Sequence, residues 1–554
     1  MRKSSLLYTL LFIFLLINNQ FYQATISSSA QYPIKKQNGD TYVWIWDELI
    51  GAPTSIPSDD VVFWGESLGP YHNYDELTVK LQDLNSSFPD IIEVFSLGKT
   101  YFQRDIWCVR ITKESVTKAK TEFYIDAAHH ARELISVEDS LYFIDKLVYS
   151  FQGGEYEDLL KTTEIYVIPM LNPDGISIMH IFPEQRKNLR PIDDDNDTRF
   201  DDEYEVVYFW NETSNRAEIN ATHIDADGTT GEDRPGGVDL NRNYGAYWNV
   251  SGGASEDKIN DLYRGDYPFS ENETRIVRNF LKTHFINYAI SLHSGVEAII
   301  APWSHNSSLP TKDAAEFQAI IDELKTITGF PAWSEIGGYE ASGTWNDYCY
   351  YAYDIVPITI ETYETIWTGS YFDYYNPSGD GIISNCELVF PALAYMANEP
   401  HLTYTNNLPS VKITNPSRSI SYNDSYDFSW AMDDEDNDPL NSTILISENG
   451  WNWTVLASNI TEYNTYTWNL TDVKASSYYL KVAVFDGKDW VTDVSEAKLY
   501  VKIRPRRFSA SFWIIGILMG GSALVYIFFN IRKTRKVKEM WDPKAELEED
   551  KNNK

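Results

Sequence analysis

A histidine and a glutamate three residues apart, His130-x-x-Glu133, offer one imidazole nitrogen and one carboxylate on the same side of a turn. A zinc ion takes three protein ligands with N or O donors and keeps a fourth position open, so this pair supplies two of the three. With nine histidines in the chain, one such spacing is expected by accident, and the pair alone decides nothing. The third donor has to come from a distant segment. His293 closes the strand-like run Asn287 to Leu292, within Ser291-Leu292-His293-Ser294-Gly295. Ligands of open α/β sheets collect at the carboxyl ends of strands, where donors from two strands can converge on one metal.

A second group of chemically capable residues is the loop Gly237-Val238-Asp239-Leu240-Asn241-Arg242-Asn243. Arg242 and Asn241 together can grip a planar carboxylate through several hydrogen bonds. Asp239 can hold a ligating imidazole by its other ring nitrogen. Taken alone, the loop is equally compatible with a structural salt bridge.

The elements that must position these groups follow from hydrophobic periodicity. Strand-like runs at Glu122 to Ala128, Glu164 to Met170, Asn287 to Leu292 and Ile355 to Ile360 alternate with helical patterns, the signature of an α/β domain over residues 70–400. After the first run, Leu134, Val137, Leu141, Ile144, Leu147 and Phe151 recur at helical spacing. One strand thus feeds one helix through the segment that carries His130 and Glu133. Beyond Pro409, short Val, Ile, Tyr and Trp-rich runs separated by Asn449-Gly450 and Asp486-Gly487 turns predict a β-sandwich over 409–503, read as a stalk or binding module. Its acidic stretch Asp433 to Asp438 reads as a solvated loop.

At 554 residues the chain exceeds what one core usually organises. A formal charge of -35 makes approach to nucleic acid repulsive, and nucleic acid is excluded as a partner. Residues 1–30, with Arg2 and Lys3 before the apolar run Leu6 to Ile17, read as a signal peptide. Residues 508–531 are long and apolar enough to span a bilayer. Arg532, Lys533, Arg535, Lys536 and Lys538 outweigh Arg504, Arg506 and Arg507, which predicts a single-pass type I membrane protein, an extracellular catalytic domain and a cytoplasmic tail over 532–554. Asn-x-Ser/Thr acceptors recurring from Asn85 to Asn469 suit a translocated glycoprotein. Three cysteines, Cys108, Cys349 and Cys386, permit one disulfide at most, and none is assigned catalysis. An acidic insertion over 193–235 carries Asp193-x-Asp195-x-Asp197, whose alternate carboxylates resemble a calcium loop; Thr198 replaces the expected glycine and no Glu falls at the twelfth position.

Between residues 70 and 400 the chain resembles the zinc carboxypeptidases related to carboxypeptidase A and carboxypeptidase T. The resemblance rests on His130-Ala131-Arg132-Glu133, Asn172-Pro173-Asp174-Gly175, Arg186-Lys187-Asn188, Gly237 to Asn243, Tyr263-Arg264-Gly265, Pro268-Phe269-Ser270-Glu271, His293-Ser294, Tyr339 with Ala341-Ser342-Gly343, and Glu361, all in the family's order. It implies a mixed β-sheet flanked by helices, one Zn2+ held by His130, Glu133 and His293, and peptide or protein C-termini as substrates. Glu361 would be the general base, Arg186 would stabilise the oxyanion, and Asn241, Arg242 and Tyr339 would bind the terminal carboxylate with Arg132 assisting along the subsites. The family's side-chain pocket carries an acidic residue seven positions after the tyrosine in enzymes that prefer Lys or Arg; here it is Asn346, which implies neutral, apolar or aromatic terminal residues with broad tolerance. Two departures stand out: the insertion between Arg186 and Asn241, and an N-terminal extension over 31–69 of about forty residues, short for an inhibitory prodomain. The competing readings are a zinc amidohydrolase or cell-wall peptide hydrolase on the same fold, and a non-catalytic cell-surface binding protein.

Overall fold

The computed structural model describes residues 68–190 and 236–501 apart from short stretches, together with isolated strand pairs at Ile34–Asn38 with Thr41–Ile45 and Val206–Asn211 with Arg216–Ala221. The signal, transmembrane and tail segments expected at 1–30, 508–531 and 532–554 lie outside the described residues. So do Asp193, Asp195 and Asp197 of the acidic insertion. Among the described residues no helix is long and apolar enough to cross a membrane.

Seven strands form the first sheet: β1 (Ile92–Lys99), β2 (Asp105–Ile111), β3 (Thr121–Ala127), β4 (Thr163–Ile168), β5 (Ile286–His293), β6 (Val296–Ile300) and β7 (Val356–Tyr363), in the order β6-β7-β5-β3-β4-β2-β1. The central strands β7, β5, β3 and β4 run parallel, while β6 at one edge and β2 with β1 at the other are antiparallel, so the sheet is mixed. Parallel strands covered on both faces read as continuous apolar runs, and every residue of β3, β4 and β5 is buried.

Helices α1 (Tyr74–Ser87), α2 (Leu134–Phe151), α3 (Asn272–Leu281), α4 (Ala314–Thr328), α5 (Trp345–Tyr353) and α6 (Asp380–Ala397) cover its faces. Helix α1 starts on a reciprocal capping box, in which Asn73 accepts from the Glu76 amide and the Glu76 carboxylate accepts from the Asn73 amide. Helix α2 carries the predicted apolar stripe: Leu134, Val137, Leu141, Ile144 and Leu147 are all buried in the core that α6 completes with Val389, Leu393 and Met396.

The expected strand bounds shift by one to three residues. The largest change is at β7, which runs on to Tyr363 because β6 pairs with it as far as Val296↔Tyr363; Glu361 therefore lies inside the strand and not beyond its end.

The second body is the predicted sandwich, built from β8 (Ser410–Asn415), β9 (Ile420–Tyr422), β10 (Ser425–Asp433), β11 (Asn441–Ser447), β12 (Thr454–Ile460), β13 (Thr465–Asn469), β14 (Ser477–Phe485), β15 (Trp490–Val494) and β16 (Leu499–Val501). One sheet is β8-β10-β13; the other is β9-β16-β14-β11-β12 with β15 paired to β14. Its core holds Phe428, Trp430, Ile444, Trp468, Leu480 and Val482. The three cysteines are unpaired and buried, and burial pushes the Cys108 and Cys349 thiols up, away from reactivity.

Candidate metal centre and substrate cleft

Strand β3 ends at Ala127, and the chain turns through Ala128, which adopts φ +57°, into His129 and His130 before α2 begins. Ser136 clamps the turn from inside the helix: its hydroxyl donates to the Glu133 carbonyl at 2.6 Å and accepts from the Ala128 amide at 3.1 Å. His130 and Glu133 thereby face one another, with His130 Nδ1 2.7 Å from Glu133 Oε1. His293, the last residue of β5, brings its Nδ1 to 2.8 Å from Glu133 Oε2 and 3.2 Å from His130 Nδ1. All three are buried, and their donor atoms lie within 4.8 Å of one another. The three residues singled out in the sequence thus meet at one point.

A second contact orients the His130 ring so that Nδ1 faces inward: on the far side Nε2 sits 3.2 Å from Asp239 Oδ1. Asp239 is held well below the usual carboxylate range: burial alone would raise it, but Arg186, Arg242 and His130 outweigh burial. Glu133 is depressed in the same way by His130 and His293 against its burial. His293 is lowered, by burial first, against the pull of Glu133. His130 Nδ1 and His293 Nδ1 face each other across 3.2 Å with the two oxygens of Glu133 beside them. Two imidazoles and a carboxylate are a donor set that suits zinc.

Of the remaining predicted residues, Arg186, Asn241, Arg242, Tyr339, Asn346 and Glu361 line a cleft of about 220 Å3 shared with His130 and Glu133. Arg186 donates through Nε to Asp239 Oδ2 at 2.9 Å and lies 3.8 Å from Glu133. Burial pulls its pKa down, but Asp239, Tyr339 and Glu133 more than reverse that, so the guanidinium is firmly charged. Glu361 stands beside His293 on the neighbouring parallel strand, in register. Burial and Glu133 push it well above the ordinary carboxylate value, against the opposing pull of Arg186 and Arg242.

Arg242 is buried, with Nη1 donating to the Asn241 carbonyl at 2.7 Å, Nη2 donating to the Tyr339 hydroxyl at 3.4 Å and Nε donating to the Gly253 carbonyl. The Asn241 side chain accepts from the Trp345 amide at 2.9 Å and brings its Nδ2 to 3.4 Å from His293 Nε2. Gly343, at φ +68°, packs its backbone onto the Arg242 carbonyl where any Cβ would collide, so this position takes glycine. Asn346, at the start of α5, has both ends of its amide engaged: Nδ2 donates to the Ile300 carbonyl at 3.2 Å and Oδ1 accepts from Thr359 at 2.8 Å.

Arg132 points along the rim. It donates to the Glu184 carbonyl at 3.1 Å, pairs with Asp261 at 3.3 Å and lies over the Tyr375 ring at 4.6 Å. The other recurring motifs form the frame. Asn172 donates to the carbonyls of His129 and Lys187, and Asn188 exchanges hydrogen bonds with Val238, so the loops bearing His130, Arg186 and Asp239 are tied together.

Two residues escaped the sequence reading. His129 lies under the centre, its ring stacked on His293 at 5.3 Å, with Nε2 2.8 Å from the Tyr244 hydroxyl and Nδ1 3.2 Å from Ser291. Burial, then His293 and His130, hold it well below the usual histidine range, so it is neutral packing. Its only sequence signal is adjacency to His130. Tyr375 lines the cleft with no motif to announce it.

A family model described as zinc carboxypeptidase matches residues 77–387, more than half of the chain. The chain belongs to the zinc carboxypeptidase family. Among curated relatives, carboxypeptidase B2 of Bos taurus is 27% identical over 257 residues, 46% of this chain and 51% of that protein. Carboxypeptidase B of Helicoverpa zea is 28% identical over 297 residues, 51% of this chain and 60% of that protein. The chain thus spans about half the length of the curated relatives it matches. Among solved structures, bovine thrombin-activatable fibrinolysis inhibitor in complex with tick carboxypeptidase inhibitor aligns with 23% identity and a TM-score of 0.47, covering 60% of this chain and 98% of that one. Carboxypeptidase A from Helicoverpa armigera aligns with 21% identity and a TM-score of 0.47, covering 60% and 74%.

Proposed function

We propose that this chain is a metallocarboxypeptidase that hydrolyses the C-terminal bond of peptides or proteins, with zinc held by His130, Glu133 and His293. The observation that carries the reading is the arrangement of one cleft, in which His130 and Glu133, with His293 gathered against them, share the walls with Arg242, Asn241 and Tyr339. Zinc bound there would act as a Lewis acid and lower the pKa of water toward about 7.

The chain's own residues divide the remaining work. Arg242 and Tyr339 bind the free carboxylate of the substrate and set which bond lies over the centre. Arg186, already charged and fixed by Asp239, faces the developing oxyanion, a contact whose loss costs roughly 3 to 4 kcal/mol of barrier. Glu361, with its raised proton affinity, takes a proton from the attacking water and passes it to the departing amine. Arg132 steadies the residues upstream of the cut.

Asn346 has no free counter-charge, since both ends of its amide are satisfied. The side-chain pocket therefore favours neutral terminal residues over Lys and Arg. The same reading places the catalytic domain outside the cell on a single membrane span at 508–531; its support is the order of the apolar and basic segments. Protease treatment of intact cells should remove the catalytic domain and leave a short membrane-bound remnant, and a fully protected domain would reverse that topology.

The test of the reaction compares one peptide with a free and an amidated C-terminus. The free form should lose terminal residues stepwise, and amidation should lower kcat/KM by at least about a hundredfold. Equal cleavage of the two forms would remove carboxylate recognition by Arg242 and favour an amidohydrolase.

A further inference from the structure

The sandwich carries a second concentration of carboxylates, far from the cleft in sequence and unused by the proposed reaction. We propose that the loop joining β10 to β11 binds a divalent cation of calcium's size through Asp434, Asp436 and Asp438. The alternate spacing places an oxygen donor on every second residue, and one ligand oxygen from each lies within 4.8 Å of the others. Three points no farther apart than 4.8 Å share a centre at most about 2.8 Å from each, since 4.8/√3 ≈ 2.8. Calcium bonds oxygen at about 2.3–2.6 Å, whereas magnesium demands about 2.0–2.1 Å in strict octahedral geometry. A centre within that bound admits an ion at calcium's oxygen distance.

Closeness of acidic groups is common on surfaces and would not suffice. The independent observation is Asp434 itself. It is only 8% exposed, whereas Asp433, Glu435, Asp436, Asn437 and Asp438 are exposed as the sequence suggested, so the loop is solvated around one buried carboxylate. Its Oδ1 accepts from the amides of Asp436 at 2.9 Å and Asp438 at 3.0 Å, which draws the loop around the carboxylate. Its Oδ2 is shielded from solvent and receives no hydrogen bond. A buried anionic oxygen without a donor is costly, and no Lys, Arg or His pairs with any of the three carboxylates among the described residues. A cation shared with Asp436 and Asp438 would satisfy that oxygen.

Asp436 accepts from the amide and the side chain of Asn407 at 2.7 and 2.9 Å, and Asn406 donates to Asp486 at 3.0 Å and Asp489 at 2.9 Å. The proposed site is therefore fastened to the segment through which the chain enters the sandwich. Calcium would stiffen that entry. With three carboxylates and water completing the shell, affinity should fall near the weak range of about 10⁻⁴–10⁻³ M.

The test is equilibrium dialysis of the purified full-length chain against radioactive calcium, with zinc content measured in parallel. Asp438→Asn removes an exposed ligand whose side chain holds nothing else in place; Asp434→Asn removes the buried one. Wild type should bind one more calcium equivalent than Asp434→Asn, and Asp438→Asn should weaken that site roughly tenfold or more, with zinc unchanged throughout. No calcium bound at millimolar concentration would overturn the proposal. So would binding that both variants retain in full, because the ion would then sit elsewhere.

Discussion

Lys481 lies in the middle of β14 with no solvent exposure, in contact with Glu122 at the start of β3, so one buried ion pair spans the sandwich and the catalytic sheet. Replacing Lys481 with Met keeps most of the aliphatic stem and deletes the charge. Glu122 would retain the Phe285 amide at 2.9 Å as a donor to Oε2, while Oε1 would keep only the Thr492 hydroxyl at 3.5 Å. Removing one partner of a buried pair costs about 3 to 5 kcal/mol, because the other charge is left uncompensated. Glu122 is already raised, by burial first and by Glu164, with Lys481 pulling against both. Without Lys481 its folded pKa rises further above the unfolded value of about 4.3. The folded state then holds a proton that the unfolded state releases, so stability falls as pH rises between those two values, by up to about 1.4 kcal/mol per unit. The loss in Lys481→Met should be smallest near pH 5 and grow toward pH 8. Adding Glu122→Gln should recover most of it, because the stranded charge is gone. Urea unfolding of the full-length chain, followed by tryptophan fluorescence across that pH range, measures all three proteins. A single variant within about 0.5 kcal/mol of wild type at pH 8, with no steeper pH dependence, would refute the argument that this pair is dry and joins the two bodies.

Glu361→Gln should lower kcat/KM by about 10²- to 10⁴-fold while zinc content by metal analysis stays at one equivalent; near-normal turnover would remove Glu361 from the proton path. Asn346→Asp should shift preference toward C-terminal Lys or Arg by roughly tenfold or more on a peptide panel, at some cost in stability, because the new carboxylate faces the Ile300 carbonyl that the amide now satisfies. Asp139, buried on α2 against Asn385 of α6, is raised to about 7 by burial, against Thr362 and Asn385. Its folded pKa exceeds the unfolded one, so its contribution is complete below about pH 4 and is lost as pH rises to 7; relative to Asp139→Asn, wild type should lose at most about 3 kcal/mol between pH 5 and 7, read by denaturant unfolding.

Much of the centre was legible because metal ligation restricts donor type and places donors at strand ends. His130, Glu133 and His293 could be named from a three-residue spacing and the end of an apolar run. Glu361 could be named only by resemblance, since nothing local reveals that β7 lies beside β5 with Glu361 opposite His293. Sheet order is a long-range property. His129 and Tyr375 were silent for a related reason: their placement depends on what packs over them. Lys481 shows the same limit more sharply. Between Leu480 and Val482 it has the spacing of an outward, solvated position, and it is outward in the sandwich; a second body covers that face. Asp434 misled in the same direction, because an acidic run gives no sign of which carboxylate the loop folds over.

The sandwich was expected to act as a stalk or binding module; besides Trp451 stacked on Phe95 of β1 at 5.2 Å and Lys488 paired with Glu316 of α4 at 3.4 Å, it holds the catalytic sheet at the start of two central strands. Lys120, just before β3, exchanges backbone hydrogen bonds with Thr492 at 2.9 Å in both directions. Asn287, near the start of β5, donates to the Trp490 carbonyl at 3.0 Å and accepts from its amide at 2.8 Å. Phe285 packs on the Trp490 ring at 4.6 Å. These anchors sit at the amino ends of the two parallel strands whose carboxyl ends lead to His130 and carry His293. A body docked there stiffens the strands that aim the ligands while leaving the cleft at the opposite pole open to a substrate's terminus. The backbone and amide contacts are neutral and local, so they hold register, and the fully buried Lys481–Glu122 pair adds to how strongly the two bodies stay joined. Loosening the sandwich should therefore disturb the relative placement of His130 and His293 before it disturbs the carboxylate pocket, whose Arg242 and Tyr339 hang from loops with no contact to that pole among the described residues.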